Sequence, residues 1–139
     1  MMKTLVVFYS YTGASKRLAV TYADGEGADT MEIHDKKRPS AIRAYVSGCF
    51  KAMRATAWDI QAPERSADDY EKIVLFTPIW AGNTPPAMNA FLQLLPAGKT
   101  VSVKAVSASG KSSCAARIEE VVRQKGCSFD GFEDIKSNA

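Results

Sequence analysis

The chain has 139 residues, enough for a single domain that buries about two-thirds of its unfolded surface around one core. Apolar residues make up 46% and charged residues 24%, an ordinary globular balance, and no apolar run approaches the roughly 20 residues that span a bilayer, which excludes a helical membrane protein. Eighteen basic against fifteen acidic side chains leave a net charge of +3, too small for a dedicated nucleic-acid protein.

The first element is a strand. Leu5-Val6-Val7-Phe8-Tyr9 is β-prone and uncharged, the pattern of a strand buried on both faces. It runs into Ser10-Tyr11-Thr12-Gly13-Ala14-Ser15, a turn of small and hydroxylated residues, before a helical pattern starts at Lys16. A strand that opens a helix through such a turn aims backbone N–H groups, hydroxyls and the positive end of the helix dipole at one point, where an anion fits. The plainer alternative is a strand-to-helix turn with Ser15 as N-cap. Leu18, Ala19 and Tyr22 give the first helix an apolar face, and Asp24-Gly25-Glu26-Gly27 ends it early, so that it is short.

Ala28 to Ile33, with Asp29, Thr30 and Glu32 interspersed, reads as an edge strand. After the basic turn Lys36-Lys37-Arg38-Pro39, Ser40 caps a second helix. Its apolar face is Ile42, Tyr45, Val46, Cys49, Phe50 and Met53, and its other face carries Arg43, Ser47, Lys51 and Arg54. Trp58 to Asp69 is a connecting loop.

Ile73-Val74-Leu75-Phe76 is a third, central strand. The stretch Thr77-Pro78-Ile79-Trp80-Ala81-Gly82-Asn83-Thr84-Pro85-Pro86, with three prolines and a glycine, reads as irregular despite its large aromatic. Met88, Phe91, Leu92 and Leu95 form a third helix behind Pro85 and Pro86. Thr100 to Val106 is a fourth strand, followed by a second hydroxylated turn, Ser107-Ala108-Ser109-Gly110-Lys111-Ser112. Ala115, Ile118, Val121 and Val122 mark a fourth helix closed by Gly126, and Cys127 to Phe132 a last strand.

Five strands alternating with four helices argue an open parallel sheet with right-handed crossovers. Ligands of such sheets bind beyond the carboxyl ends of the strands. All three unusual loops follow strands and so gather at one edge. One is an anion cradle, one carries an aromatic beside a glycine, and one is small enough for close approach to a flat ligand. Together they describe a pocket for a phosphorylated aromatic cofactor.

Cys49, Cys114 and Cys127 show neither a CxxC nor a Cys/His pairing, so they imply no disulfide framework and no zinc site. The only histidine, His34, reads as a loop residue, and no catalytic side chain stands out. No secretory leader is read ahead of Leu5, so the expected location is the cytoplasm.

At the three loops the sequence resembles the flavodoxin family, over about residues 3 to 132. Ser10-Tyr11-Thr12-Gly13-Ala14-Ser15 is similar to its FMN phosphate loop, Ser/Thr-x-Thr-Gly-x-Thr, with serine in the last place. Thr77-Pro78-Ile79-Trp80-Ala81-Gly82, with Pro85-Pro86-Ala87, resembles the loop flanking the isoalloxazine, and Ser107-Ala108-Ser109-Gly110 the third flavin loop. The resemblance implies a three-layer α/β fold with strand order 2-1-3-4-5, FMN as cofactor and a role in electron transfer. It also implies phosphate contacts from Ser10, Thr12, Gly13, Ala14 and Ser15, and a ring lying against Trp80. Backbone groups of Ala81, Gly82, Ser109 and Gly110 would meet the ring's polar edge, where a glycine lets a peptide reorient as N5 gains a proton.

The pattern departs from the family in three ways. Electron-carrier flavodoxins are strongly acidic, whereas this chain is slightly basic; with Lys36, Lys37, Arg38, Arg43, Lys51 and Arg54 close in sequence, an acidic redox partner is expected. The third loop lacks the tyrosine that often covers the flavin's outer face, which keeps open an FMN-dependent NAD(P)H:quinone-type reductase. Glu133 to Ala139 fits no fifth helix, and Lys104 shares one side of its strand with Thr100 and Ser102. That face is therefore expected to be open to solvent or to a second copy in a homodimer. A scaffold that has lost FMN stays a further alternative. A receiver domain would need carboxylates after the first strand, and a low-molecular-weight phosphatase a cysteine and an arginine in the first loop; neither set is present.

Overall fold

The computed structural model describes residues 3–10, 13–35 and 60–137. Within them five strands, β1 (Thr4–Phe8), β2 (Asp29–Glu32), β3 (Lys72–Pro78), β4 (Thr100–Ser107) and β5 (Ser128–Lys136), form one sheet in the order β2-β1-β3-β4-β5. Every neighbouring pair is parallel. Three α-helices connect them among the described residues: α1 (Ala14–Glu26), α2 (Pro86–Gln93) and α3 (Ala115–Gln124). This is the expected architecture and strand order. The expected second helix, with Cys49 and the six basic residues from Lys36 to Arg54, lies outside the described residues. Among the described residues no helix is long and apolar enough to cross a membrane.

The middle of β1 and of β3 is apolar because both faces are covered there. Leu5, Val7, Ile73, Leu75, Val101 and Val103 join Phe91 and Leu92 of α2 and Ile118 and Val122 of α3 on one side. Val6, Phe8, Val74, Phe76 and Val106 meet Ala19 and Ala23 of α1 on the other. The helices thus form the two outer layers of a three-layer sandwich.

Several boundaries differ from the sequence reading. Helix α1 starts two residues before Lys16 and runs through Gly25 to Glu26, so it is 13 residues long rather than short. Its N-cap is Gly13, not Ser15, which sits inside the first turn at 2% exposure. Gly27, at φ 64°, ends it. Strand β3 extends through Thr77 to Pro78, because a proline at a strand's last position forfeits no needed donor. Pro86 is helical at the start of α2, where its missing N–H costs nothing. The connecting loop contains a short 3₁₀ turn over Ala67–Asp69 and an antiparallel bridge from Ile60 to Asp35.

β5 starts one residue later than expected and ends four residues later, at Lys136. Val101 faces Phe129 and Val103 faces Phe132, so Asp130 and Gly131 together stand against Ser102 in a bulge. Gly131, at φ 126°, takes the conformation that this requires. The extra residue resets the alternation, and both phenylalanines pack on the α2/α3 side. Among the described residues no helix follows β5. Lys104 is partly exposed, donates to Glu133 across the strands at 3.1 Å, and lies 5.3 Å from the centre of the Tyr22 ring of α1.

Candidate functional site

Because β1, β3 and β4 are adjacent and parallel, the turns that follow them come out at one edge, as expected. Ser10 stands at the end of β1, where its Oγ accepts the N–H of Gly13 at 2.9 Å and folds the turn back on itself. Gly13 has φ 103° and caps α1 with no side-chain hydrogen bond. The first-turn N–H groups of α1 therefore point out of the helix, the arrangement that receives an anion. Ala14 and Ser15 lie in that first turn; Tyr11 and Thr12 are outside the described residues.

The second loop is built on a two-residue reversal. Trp80 N–H donates to the Asn83 carbonyl at 2.8 Å, and Asn83 N–H returns to the Trp80 carbonyl at 3.1 Å. Between them Ala81 (φ 52°) and Gly82 (φ 80°) are both left-handed, as in a type I′ turn. Thr77 is fully buried within β3, and its hydroxyl donates to the Pro78 carbonyl at 2.9 Å. Ile79 and Trp80 are partly buried against the larger core cluster. The Trp80 ring meets Tyr9 edge-on, with centroids 6.1 Å apart at 70°, which joins the end of β1 to the second loop.

The third loop is pinned to the end of β5. Ser107 Oγ accepts the Gly110 N–H at 3.0 Å, and its carbonyl accepts the Ser137 N–H at 2.7 Å. Gly110 has φ 70°, and a Cβ there would stand 3.1 Å from Cβ of Lys136. Ser109 is exposed, its Oγ accepting the Lys111 N–H at 3.2 Å. Just beyond, Ser112 Oγ donates to Asp134 at 2.7 Å.

A polar cluster that the sequence reading did not select ties this edge together. Arg117 of α3 reaches under the second loop. Its Nε and one terminal nitrogen donate to Asn83 Oδ1 at 3.1 and 2.5 Å, and the same nitrogen reaches Thr84 Oγ1 at 2.6 Å and Asn89 Oδ1 at 3.3 Å. Thr84 and Asn89 are 1% and 4% exposed, and the Thr84 hydroxyl also donates to Asn89 Oδ1. Burial holds the Arg117 guanidinium below its ordinary value and the nearby Cys114 thiol above its own. In sequence the only available signal was Asn83-Thr84 set directly before two prolines; Arg117 borders the apolar face of its helix beside Ile118 and looks like a solvated charge.

No family model and no curated protein matches the sequence. Solved structures do. A flavoprotein of Lactobacillus acidophilus NCFM in complex with FMN superimposes with a TM-score of 0.78 at 16% identity, covering 95% of this chain and 92% of its own. A candidate flavoprotein of Bacteroides eggerthii also gives 0.78, at 21% identity, with 96% and 87% covered. The two-electron reduced flavodoxin of Megasphaera elsdenii gives 0.58 at 17% identity, with 98% and 90% covered. These likenesses, with the strand order, define the chain as an α/β protein of flavodoxin-like fold.

Proposed function

We propose that this chain binds FMN across the edge formed by the three loops and acts in electron transfer in the cytoplasm. The observation that carries this reading is the convergence at one sheet edge of an uncapped helix N-terminus behind Gly13, a left-handed Ala81-Gly82 turn beside Trp80, and the tight Ser107–Gly110 turn. The fold's neighbour from Lactobacillus acidophilus, in complex with FMN, supports the choice of ligand.

The described residues of the three loops suit such a group. The Ser10–Ser15 turn offers N–H and hydroxyl donors to a phosphate. In the second loop the Gly82 carbonyl is taken by Ser113, and the Asn83 side chain by Arg117. The Ala81 carbonyl and Gly82 N–H are engaged by no described residue, so this one peptide is left for the polar edge of a ring. Trp80, half in the core, would shield that ring from water, and Ser109-Gly110 would approach it from the third loop. When bound, the flavin supplies the electron chemistry; the protein's part is to hold it and set its potential.

The basic balance of the chain favours an electron partner with an acidic surface. The third loop carries no aromatic side chain, and that favours a second reading in which one ring face admits a nicotinamide or quinone and the protein is a reductase. The visible spectrum of the purified protein, before and after adding FMN, tests the first reading: flavin bands and a saturable titration are expected, and a colourless protein that does not bind FMN overturns it. Oxidation of NAD(P)H by the loaded protein would move the assignment to the reductase.

A further inference from the structure

The strongest feature not used above is the charge of Arg117. This guanidinium is half-buried, and its hydrogen bonds go to amide and hydroxyl oxygens, not to a carboxylate. No ion pair to it occurs among the described residues. The nearby carboxylate Asp134 is instead bonded to Ser112. A cation half removed from water with no carboxylate partner costs stability that hydrogen bonds to neutral oxygens offset only in part.

Its position suggests a use for that charge. Asn83 closes the Trp80–Asn83 turn by backbone bonds in both directions, and Arg117 grips the side chain of the same residue. Ser113, four residues earlier on the approach to the same helix, grips the Gly82 carbonyl. The two clamps leave the Ala81–Gly82 peptide as the free element of the turn and set a positive charge beneath it.

We propose that Arg117 is a positioning residue for the flavin, fixing the second loop through Asn83 and lending it a positive charge, so that reduced, electron-rich FMN is held more tightly relative to oxidised FMN than it would be without that charge. The inference rests on the FMN reading above. A fixed cation in a partly desolvated site stabilises whichever form of its neighbour carries more electron density. The potential of the bound flavin is thereby raised. The effect opposes that of an acidic surround, and it comes from a residue on α3, outside the three loops.

The test compares Arg117→Gln, which removes the charge but keeps hydrogen-bonding capacity, with Arg117→Lys, which keeps the charge and loses the fork. FMN affinity is read by fluorescence quenching and the midpoint potential by spectroelectrochemistry. For R117Q the affinity for reduced relative to oxidised FMN is expected to fall about tenfold, equivalent to about 30 mV in a two-electron couple. R117K should stay near the wild-type potential, even if it binds FMN more weakly. An R117Q protein that binds FMN at the wild-type potential overturns the proposal, as does an R117K protein whose potential falls as far as that of R117Q. Should R117Q fail to fold, the midpoint potential of Arg117→Met, which removes the charge at similar side-chain length, is read instead, and a value equal to that of the wild type overturns the proposal. Wild-type protein that takes up no FMN overturns the FMN reading itself.

Discussion

The amide and the hydroxyl of Ser113 both donate to the carbonyl oxygen of Gly82, at 3.0 and 3.2 Å. That pair of bonds locks the loop after β3 to the segment leading into α3, and a Cβ added at Gly82 would stand 2.9 Å from Ser113 Oγ, turning that hydroxyl off its bond, at a backbone φ of 80° that disfavours any side chain. Gly82→Ala is therefore expected to destabilise the fold by about 1 to 3 kcal/mol and to weaken FMN binding with it. Urea denaturation and an FMN titration check both; a variant as stable as the parent would mean that the turn relaxes freely.

The neighbouring position carries the opposite prediction. Ala81 is the only described residue other than glycine with positive φ, at 52°. A Cβ in the left-handed region costs about 1 to 2 kcal/mol, part of which glycine would return as chain entropy in the unfolded state. Ala81→Gly is thus expected to stabilise the protein by about 0.5 to 1 kcal/mol, read as a higher urea midpoint at unchanged slope.

Ser10 supplies the bond that folds the phosphate turn, its Oγ accepting from Gly13 N–H at 2.9 Å. Ser10→Ala removes that bond together with a candidate phosphate donor. We expect FMN affinity to fall by about 1 to 3 kcal/mol, with a smaller effect on the stability of the protein without FMN. An unchanged dissociation constant would take Ser10 out of the site.

These predictions rest on features of unequal legibility. The strand order and the three loops could be read because each central strand is a run of apolar residues closed by serines, prolines or glycines, and such runs have few other uses. The bulge in β5 is not legible although Gly131 marks it, because Asp130 and Gly131 interrupt the strand's apolar alternation and the pattern reads as ending at Phe132. Arg117 was missed for a different reason. Nothing in a sequence tells a guanidinium that faces water from one turned under a loop, since the contacts that decide it, Asn83, Thr84 and Asn89, are 28 to 34 residues away.

Two buried groups make stability fall at alkaline pH. The Tyr70 hydroxyl donates to Asp29 at 2.7 Å, and that bond, with burial, raises it above its ordinary 10.0; burial raises the Cys114 thiol above 9.0. In both cases the unfolded chain loses its proton first. The stability they contribute is complete below the unfolded value and is lost as pH rises through the folded one. Urea midpoints should therefore hold up to about pH 9 and decline above it, and Tyr70→Phe should flatten the decline above about pH 10 while lowering stability at neutral pH. Identical alkaline slopes for the parent and the variant would remove Tyr70 from this account.

The face of β4 and β5 beside α1 bears on self-association. Lys104 pairs with Glu133 at 3.1 Å and Lys72 with Asp130 at 3.7 Å, all on strands where a covering helix would need apolar residues. Glu133 and Asp130 have side chains 61% and 53% exposed, so each pair adds no more than about 1 kcal/mol to stability. Their larger effect is on association, because a second copy could cover this face only by desolvating four charges. We therefore expect the wild-type chain to run as a monomer in light scattering. Lys104→Leu combined with Glu133→Leu should instead promote association, since it joins Ile135 and Tyr22 into one apolar patch. A wild-type dimer that dissociates when Lys104 alone is changed to glutamate would show that this face is the seat of a second subunit after all.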